Sequence, residues 1–319
     1  MNRRRALLAA ARHPAAAVLG LALLPGLPKA AALQDAPDPS AQIEHQQAAG
    51  SRITLHFAGN FSPVTRAEAR RWVARSAAAV ASYFGRFPVP TLKLLLHSTD
   101  GAGVGAGMTS AEPQPQVRVR VGQDSSGRQF AADWVLVHEL VHLAVPQLPR
   151  HQRWLHEGIA TYVEGVARTR AGLMTAPMFW GELARALPQG LPRDGDRGLD
   201  HTPTWGRIYW GGALFCLLAD VQIRRASAAA LGLQHALQGV LAAGGNYAVA
   251  WPLERVLGLA DAAVGHSVLL DLYAAMKDRP VRPDLARLWL DLGVSDFAGS
   301  GATLLDSAAE SALRVAIAA

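Results

Sequence analysis

The chain has 319 residues, half of them apolar and 18% charged, enough to bury a sizeable core and too apolar for a disordered or fibrous class. Its formal net charge of +6 comes mostly from residues 1–32, which hold five basic side chains (Arg3, Arg4, Arg5, Arg12 and Lys29) and no acidic one, leaving +1 for residues 33–319. A nucleic-acid-binding class thereby loses its electrostatic basis.

In chain order, a basic start, an Ala/Leu-rich stretch and Ala30-Ala31-Ala32 predict a secretory signal over residues 1–32 and an exported, periplasmic or extracellular product. Its apolar run is shorter than the ~20 residues of a membrane span and is interrupted by prolines, so no stable span is expected in the mature chain. Residues 33–50, rich in Pro, Asp and Gln without periodicity, read as a linker. "RITLHFAG" alternates as a strand, residues 65–87 have helical spacing, and "TLKLLLHS" is a second strand. The Gly-rich turn "GAGVGAGMTS" leads to "QVRVRVG", a strand with one wet face carrying Arg118 and Arg120.

Ser126 and Gln129 form a capping-box pattern that opens one helix over residues 126–145, ended by Pro146. A second helix is phased by Leu155, Ile159, Tyr162, Val163 and Val166. Residues 170–204 read as a long loop with one helical piece at "FWGELARAL", and everything from Trp205 on has helical spacing. The lone cysteine, Cys216, excludes an intramolecular disulfide and, within "ALFCLLA", reads as a buried inert thiol.

The chemistry concentrates in "HELVHLAVPQLPRHQRWLHEG", residues 138–158. His138 and His142, four apart on a helix, lie about 40° apart in azimuth, so both imidazoles can face one metal ion. Glu139, about 100° round, can reach a water at that ion without being a ligand. A zinc ion in such an H-E-x-x-H site lowers the pKa of water from 15.7 to about 7 while the glutamate carries the proton. On the next helix Glu157 and Glu164 are seven residues apart on nearly one face, with Thr161 between them. Glu157 could complete a His2Glu ligand set, and Glu164 could accept a hydrogen bond from the far nitrogen of a ligand histidine. His156 is a rival third ligand, and periodicity leaves the two open. His97, His151, His201, His235 and His266 stand isolated and read as surface or core residues.

"HELVH" followed by "RWLHEGIATYVEG" resembles the gluzincin peptidases, especially the aminopeptidase N and glycyl aminopeptidase families. The resemblance implies one zinc ion held by His138, His142 and Glu157, Glu139 as general base, and His156 on a variable position. "RIYWGGALFCLLADVQIRR" is similar to a further segment of those families, which implies Tyr209 as the donor to the oxyanion of the tetrahedral intermediate. "AGMTS" looks like their substrate-binding element, which places Gly107, Met108 and Thr109 against substrate. The chain departs from the families at Thr109 (a glutamate there), at Gly211 (a lysine there), and in having 14 residues between His142 and Glu157 rather than 18.

The expected fold is α+β: a thermolysin-like catalytic domain over residues 51–204 with a small sheet and the H-E-x-x-H helix, then an all-α subdomain over 205–319. The expected function is exported, zinc-dependent hydrolysis of peptide or protein substrates, whose backbone adds to an edge strand, either "GVGAGMT" or "QVRVRV". The competing readings are a metallopeptidase-like envelope binding or scaffold protein without turnover, which the three departures favour, and a zinc amidase of cell-wall peptides.

Overall fold

The computed structural model describes residues 41–319; the leader over 1–32 and the beginning of the expected linker lie outside them. The first element is already a strand. β1 (Gln42–Ala48) and β2 (Ser51–Ala58) form an antiparallel hairpin closed by Ala49 and Gly50, both at positive φ, the backbone that a tight two-residue turn requires. The linker reading of residues 33–50 is therefore corrected from Gln42 on. β1 is an edge strand with mostly exposed polar side chains, so it carries no apolar alternation by which to read it.

α1 (Pro63–Phe84) leads to β3 (Thr91–Thr99). It starts at Ser62, whose hydroxyl accepts the Thr65 amide at 3.0 Å, and stops at Gly85 in the left-handed conformation. The "Gly-rich turn" proves to be largely a strand, β4 (Val104–Ser110), paired antiparallel with β5 (Gln116–Gly122). The five-stranded mixed sheet has the order β1-β2-β3-β5-β4, with β3 parallel to both β2 and β5. β5 is thus an interior strand, and only β4 offers a free edge at that side; of the two candidate edges, "QVRVRV" is ruled out.

The helix expected over 126–145 is broken into α2 (Gly127–Ala132) and α3 (Val135–His142). Asp133 makes the break: its carboxylate accepts the amides of Val135 and Leu136 at 2.9 and 3.1 Å and the Trp72 indole of α1 at 3.0 Å. A short acidic side chain that captures the first amides of a helix resets its start, and here it also ties α3 to α1. After His142 the chain tightens, Leu143 donating to Leu140 at 3.2 Å, before α4 (Arg153–Arg170) begins.

The stretch 170–204 holds α5 (Ala176–Ala186). A π-helical turn (Arg207–Gly211) runs into α6 (Gly212–Ala226), and α7 (Leu233–Ala242), α8 (Leu253–Val264), α9 (Val268–Met276), α10 (Leu285–Leu292) and α11 (Ser311–Ala318) follow. The region from 205 is not purely helical, since the short strands β6 (Val294–Ser295) and β7 (Thr303–Leu304) pair within it. The described residues fall in one compact unit. One apolar cluster joins the sheet (Leu94, Val119) to α3 and α4 (Leu140, Val163) and to α6 and α7 (Leu214, Val240), so the core does not divide at residue 204. No helix among the described residues is long and apolar enough to cross a membrane.

α4 and α6 cross at two glycines. A Cβ on Gly212 would lie 2.1 Å from the Trp154 carbonyl oxygen and 2.7 Å from the Gly158 Cα, and one on Gly158 would lie 2.3 Å from the Gly212 carbonyl carbon. This backbone-to-backbone contact sets Glu157 and the turn carrying Tyr209 side by side.

Candidate metal centre

α3 is buried along its whole length, including its three polar residues: His138, Glu139 and His142 are 7%, 7% and 6% exposed. The two histidine rings stand 4.9 Å apart at 90°. From α4, Glu157 Oε2 approaches both, at 3.5 Å from His138 Nε2 and 3.4 Å from His142 Nε2. Donors bonded about 2.0–2.1 Å from a tetrahedral zinc lie about 3.4 Å from one another, so the carboxylate stands at the spacing a shared ion requires. These three form the one such donor group among the described residues. The shortened connection does not keep the ligands apart: four residues is about one helical turn, and α4 presents Glu157 in phase.

Burial disfavours a charged His138, but its hydrogen bond to Glu157 and the charges of Glu157, Glu139 and Glu164 outweigh that, and its pKa lies above the ordinary 6.5. Burial likewise opposes ionisation of Glu157, yet the hydrogen bonds from His138 and His142 hold it far below the usual carboxylate range. Zinc competes with protons for the two imidazoles and not for Glu157, so zinc affinity is expected to fall by at least about tenfold per pH unit once the pH drops below the raised His138 pKa. Competition against a chromophoric chelator between pH 5.5 and 8.5 measures this; a pH-independent affinity would contradict it.

Glu139 lies beside the ligands and under β4. The Thr109 hydroxyl reaches its Oε2 at 2.7 Å and its backbone oxygen at 2.8 Å. Gly107, two residues back on the same face, leaves the room: a Cβ there would be 2.5 Å from Glu139 Cγ and 2.9 Å from Oε1. Met108, between them, points the other way and is 53% exposed.

Tyr209 sits in the π-helical turn, its ring stacked at 6.5 Å from His138, with Trp205 at 5.8 Å on its outer side. Single π-turns of this kind displace one residue from the helical row, and this one carries the phenol beside the ligand set. Burial and the charges of Glu157 and Glu139, opposed by Arg153, push its pKa above the usual value, so the phenol keeps its proton and stays a donor.

Glu164 takes a different place from the one expected. It accepts Arg168 Nη1 at 3.1 Å, one turn along α4, and its charge acts on His138 only at a distance. Nδ1 of His138 and of His142, and the Thr161 hydroxyl, are buried with no hydrogen-bond partner among the described residues. The i, i+4 pairing of Glu164 with Arg168 is legible in the sequence and competes with the role expected for it. His156 is not in the donor group: it stacks flat on His142 at 4.4 Å and meets Tyr247 at 5.2 Å. Burial and the nearby His142 lower its pKa well below 6.5. Cys216 is buried, and its thiol is pushed up by burial and Asp220.

Tyr247 is a neighbour that no local pattern in the sequence marks. Its loop, residues 243–251, straps the connection between α3 and α4: Tyr247 N–H donates to Leu143 O at 3.1 Å, Gln147 N–H to Val249 O at 2.8 Å, and Trp251 N–H to Gln147 O at 3.1 Å. Burial and the charges of Glu139 and Glu157 raise the Tyr247 pKa.

The sequence matches no protein family profile and no curated protein. Among solved structures the chain is similar to an aminopeptidase N family protein from Idiomarina loihiensis, with a TM-score of 0.61 at 16% identity over 80% of this chain and 49% of that one. It is also similar to a two-domain M1 zinc metallopeptidase mutant bound to L-arginine, with a TM-score of 0.51 at 15% identity over 77% of this chain and 53% of that one. A third is an M1 zinc metallopeptidase mutant from Deinococcus radiodurans bound to a Tyr-Ser-Ala substrate, with a TM-score of 0.50 at 16% identity over 76% and 53%. The chain spans about half the length of these proteins. The structural neighbours are thus zinc metallopeptidases of the aminopeptidase N type, and the fold is shared with them.

Proposed function

We propose that the protein is an exported zinc-dependent peptidase. The observation that carries this reading is the convergence of His138, His142 and Glu157 at zinc-ligand spacing, with Glu139 and Tyr209 beside them. The fold shared with zinc metallopeptidases supports it, and export rests on the sequence of residues 1–32.

His138, His142 and Glu157 would hold the metal. Zinc bound there acidifies a water and polarises a carbonyl. A peptide backbone adds to the free edge of β4 at Gly107, Met108 and Thr109, which aligns its scissile carbonyl with the site. Glu139 accepts a proton from the water as its oxygen attacks the carbonyl carbon, and returns that proton to the leaving nitrogen as the C–N bond breaks. Tyr209, kept protonated by its surroundings, donates to the oxyanion.

The test is a digest of a mixed peptide library by the zinc-loaded protein with and without a chelator. Cleavage that the chelator abolishes and zinc restores is the expected result, and the cut positions separate internal from terminal action. An absence of chelator-sensitive cleavage would sink the peptidase reading in favour of a binding or scaffold protein.

A further inference from the structure

We propose that the side chain of Thr109 is a positioning group for Glu139 rather than a contact for substrate: it holds one carboxylate oxygen and leaves the other to exchange the proton. The proposal rests on the reading of Glu139 as the base.

The Thr109 hydroxyl has one proton and two acceptors within reach, Glu139 Oε2 at 2.7 Å and the Glu139 backbone oxygen at 2.8 Å. The backbone oxygen is open to it because α3 tightens at its end, Leu143 donating to Leu140 instead of back to Glu139. A hydroxyl between two acceptors can serve a carboxyl in either protonation state. With Glu139 ionised, Thr109 donates to Oε2. When Oε1 carries the proton, Oε2 is a carbonyl oxygen and still accepts from the same hydroxyl. The rotamer of Glu139 is therefore held through a catalytic cycle in which its charge changes.

The same strand fixes the other oxygen. The bare Cα of Gly107 gives room for Glu139 Cγ and Oε1, which a Cβ would approach to 2.5 and 2.9 Å. β4 thus touches the carboxylate at two residues on one face, one by a hydrogen bond and one by the space it leaves. Since β4 is the free edge on which a peptide would lie, the strand that receives substrate also aims the base.

Two measurements test this. In steady-state kinetics of the zinc-loaded protein, Thr109→Val should lower kcat by about 10- to 100-fold, the cost of a slightly misplaced catalytic group, with KM within about twofold and zinc content unchanged. Thr109→Ser, which keeps the hydroxyl, should restore most of the loss. A Thr109→Val protein with a raised KM and full kcat would assign Thr109 to substrate and overturn the proposal, as would a serine variant no better than the valine. The second measurement needs neither metal nor turnover: a double-mutant cycle of Thr109→Val and Glu139→Ala in urea unfolding of the zinc-free protein. Non-additive shifts are expected, because the hydrogen bond couples the two side chains; additive shifts would overturn the coupling. Failure of the library digest with a non-additive cycle would reject the peptidase reading and keep the Thr109–Glu139 link.

Discussion

Replacing Glu139 by glutamine should abolish most peptide hydrolysis while leaving zinc in place. General-base catalysis contributes about 10²–10⁴-fold, so kcat should fall by that factor, equivalent to about 3–5.5 kcal/mol of barrier. The fold should tolerate the change. Gln has the shape of Glu, and its amide oxygen can accept the Thr109 hydroxyl that now lies 2.7 Å from Oε2. Zinc content should match the parent, since the converging donors are His138, His142 and Glu157. Metal analysis alongside kinetics separates the outcomes: parent-like turnover would remove Glu139 from the mechanism, and loss of zinc would place it among the ligands.

The second large effect is expected at the crossing of α4 and α6. Gly212→Ala must place a methyl carbon 2.1 Å from the Trp154 carbonyl oxygen, and neither backbone can rotate away from the other. The helices have to separate, at a cost of about 3 kcal/mol or more, which for a domain of this size lowers Tm by about 5–10 °C. Activity should fall more steeply than stability, because Glu157 and Tyr209 flank this contact on the two helices and would move apart with it. Gly258→Ala is the internal control. Gly258 lies within α8, with nothing within 4 Å of the added carbon, so there the substitution should stabilise by about 0.5–1 kcal/mol through helix propensity alone. Thermal unfolding of the two variants side by side reads both effects. A Gly212→Ala protein as stable as the parent would mean that the crossing is not a close one.

The sequence carries those parts of the centre that are local. The four-residue spacing of His138 and His142 survives the break at Asp133 because both lie within α3, and the alternation of Val117, Val119 and Val121 marks β5 because one face of it is buried. Glu157 against His156 is not decided by periodicity, since both lie near the start of α4; the packing of α4 between α3 and α6 presents the carboxylate and sends the imidazole behind His142. β1 has no buried face to leave a pattern, and the Gly-rich edge β4 hides in turn composition. Asp133 ends one helix and starts another through an indole 61 residues away, and the partner of Tyr247 lies just as far outside any local window. What could not be read is either a strand without a clear buried pattern or a contact between segments distant in sequence.

The strap of residues 243–251 bears on the order in which the protein can be made. His138, His142 and Glu157 leave the ribosome close together, but the loop that hydrogen-bonds to their connection follows some ninety residues later, about 5–20 s at ordinary rates of synthesis. Through that interval α3 and α4 lack both the strap and, for most of it, the turn of Tyr209. Closing so long a loop is an entropic cost that nearby contacts cannot meet in advance. The enclosed centre is thus a joint product of the two halves of the chain, and a chain stopped before residue 243 would carry the three ligands without the strap across their connection.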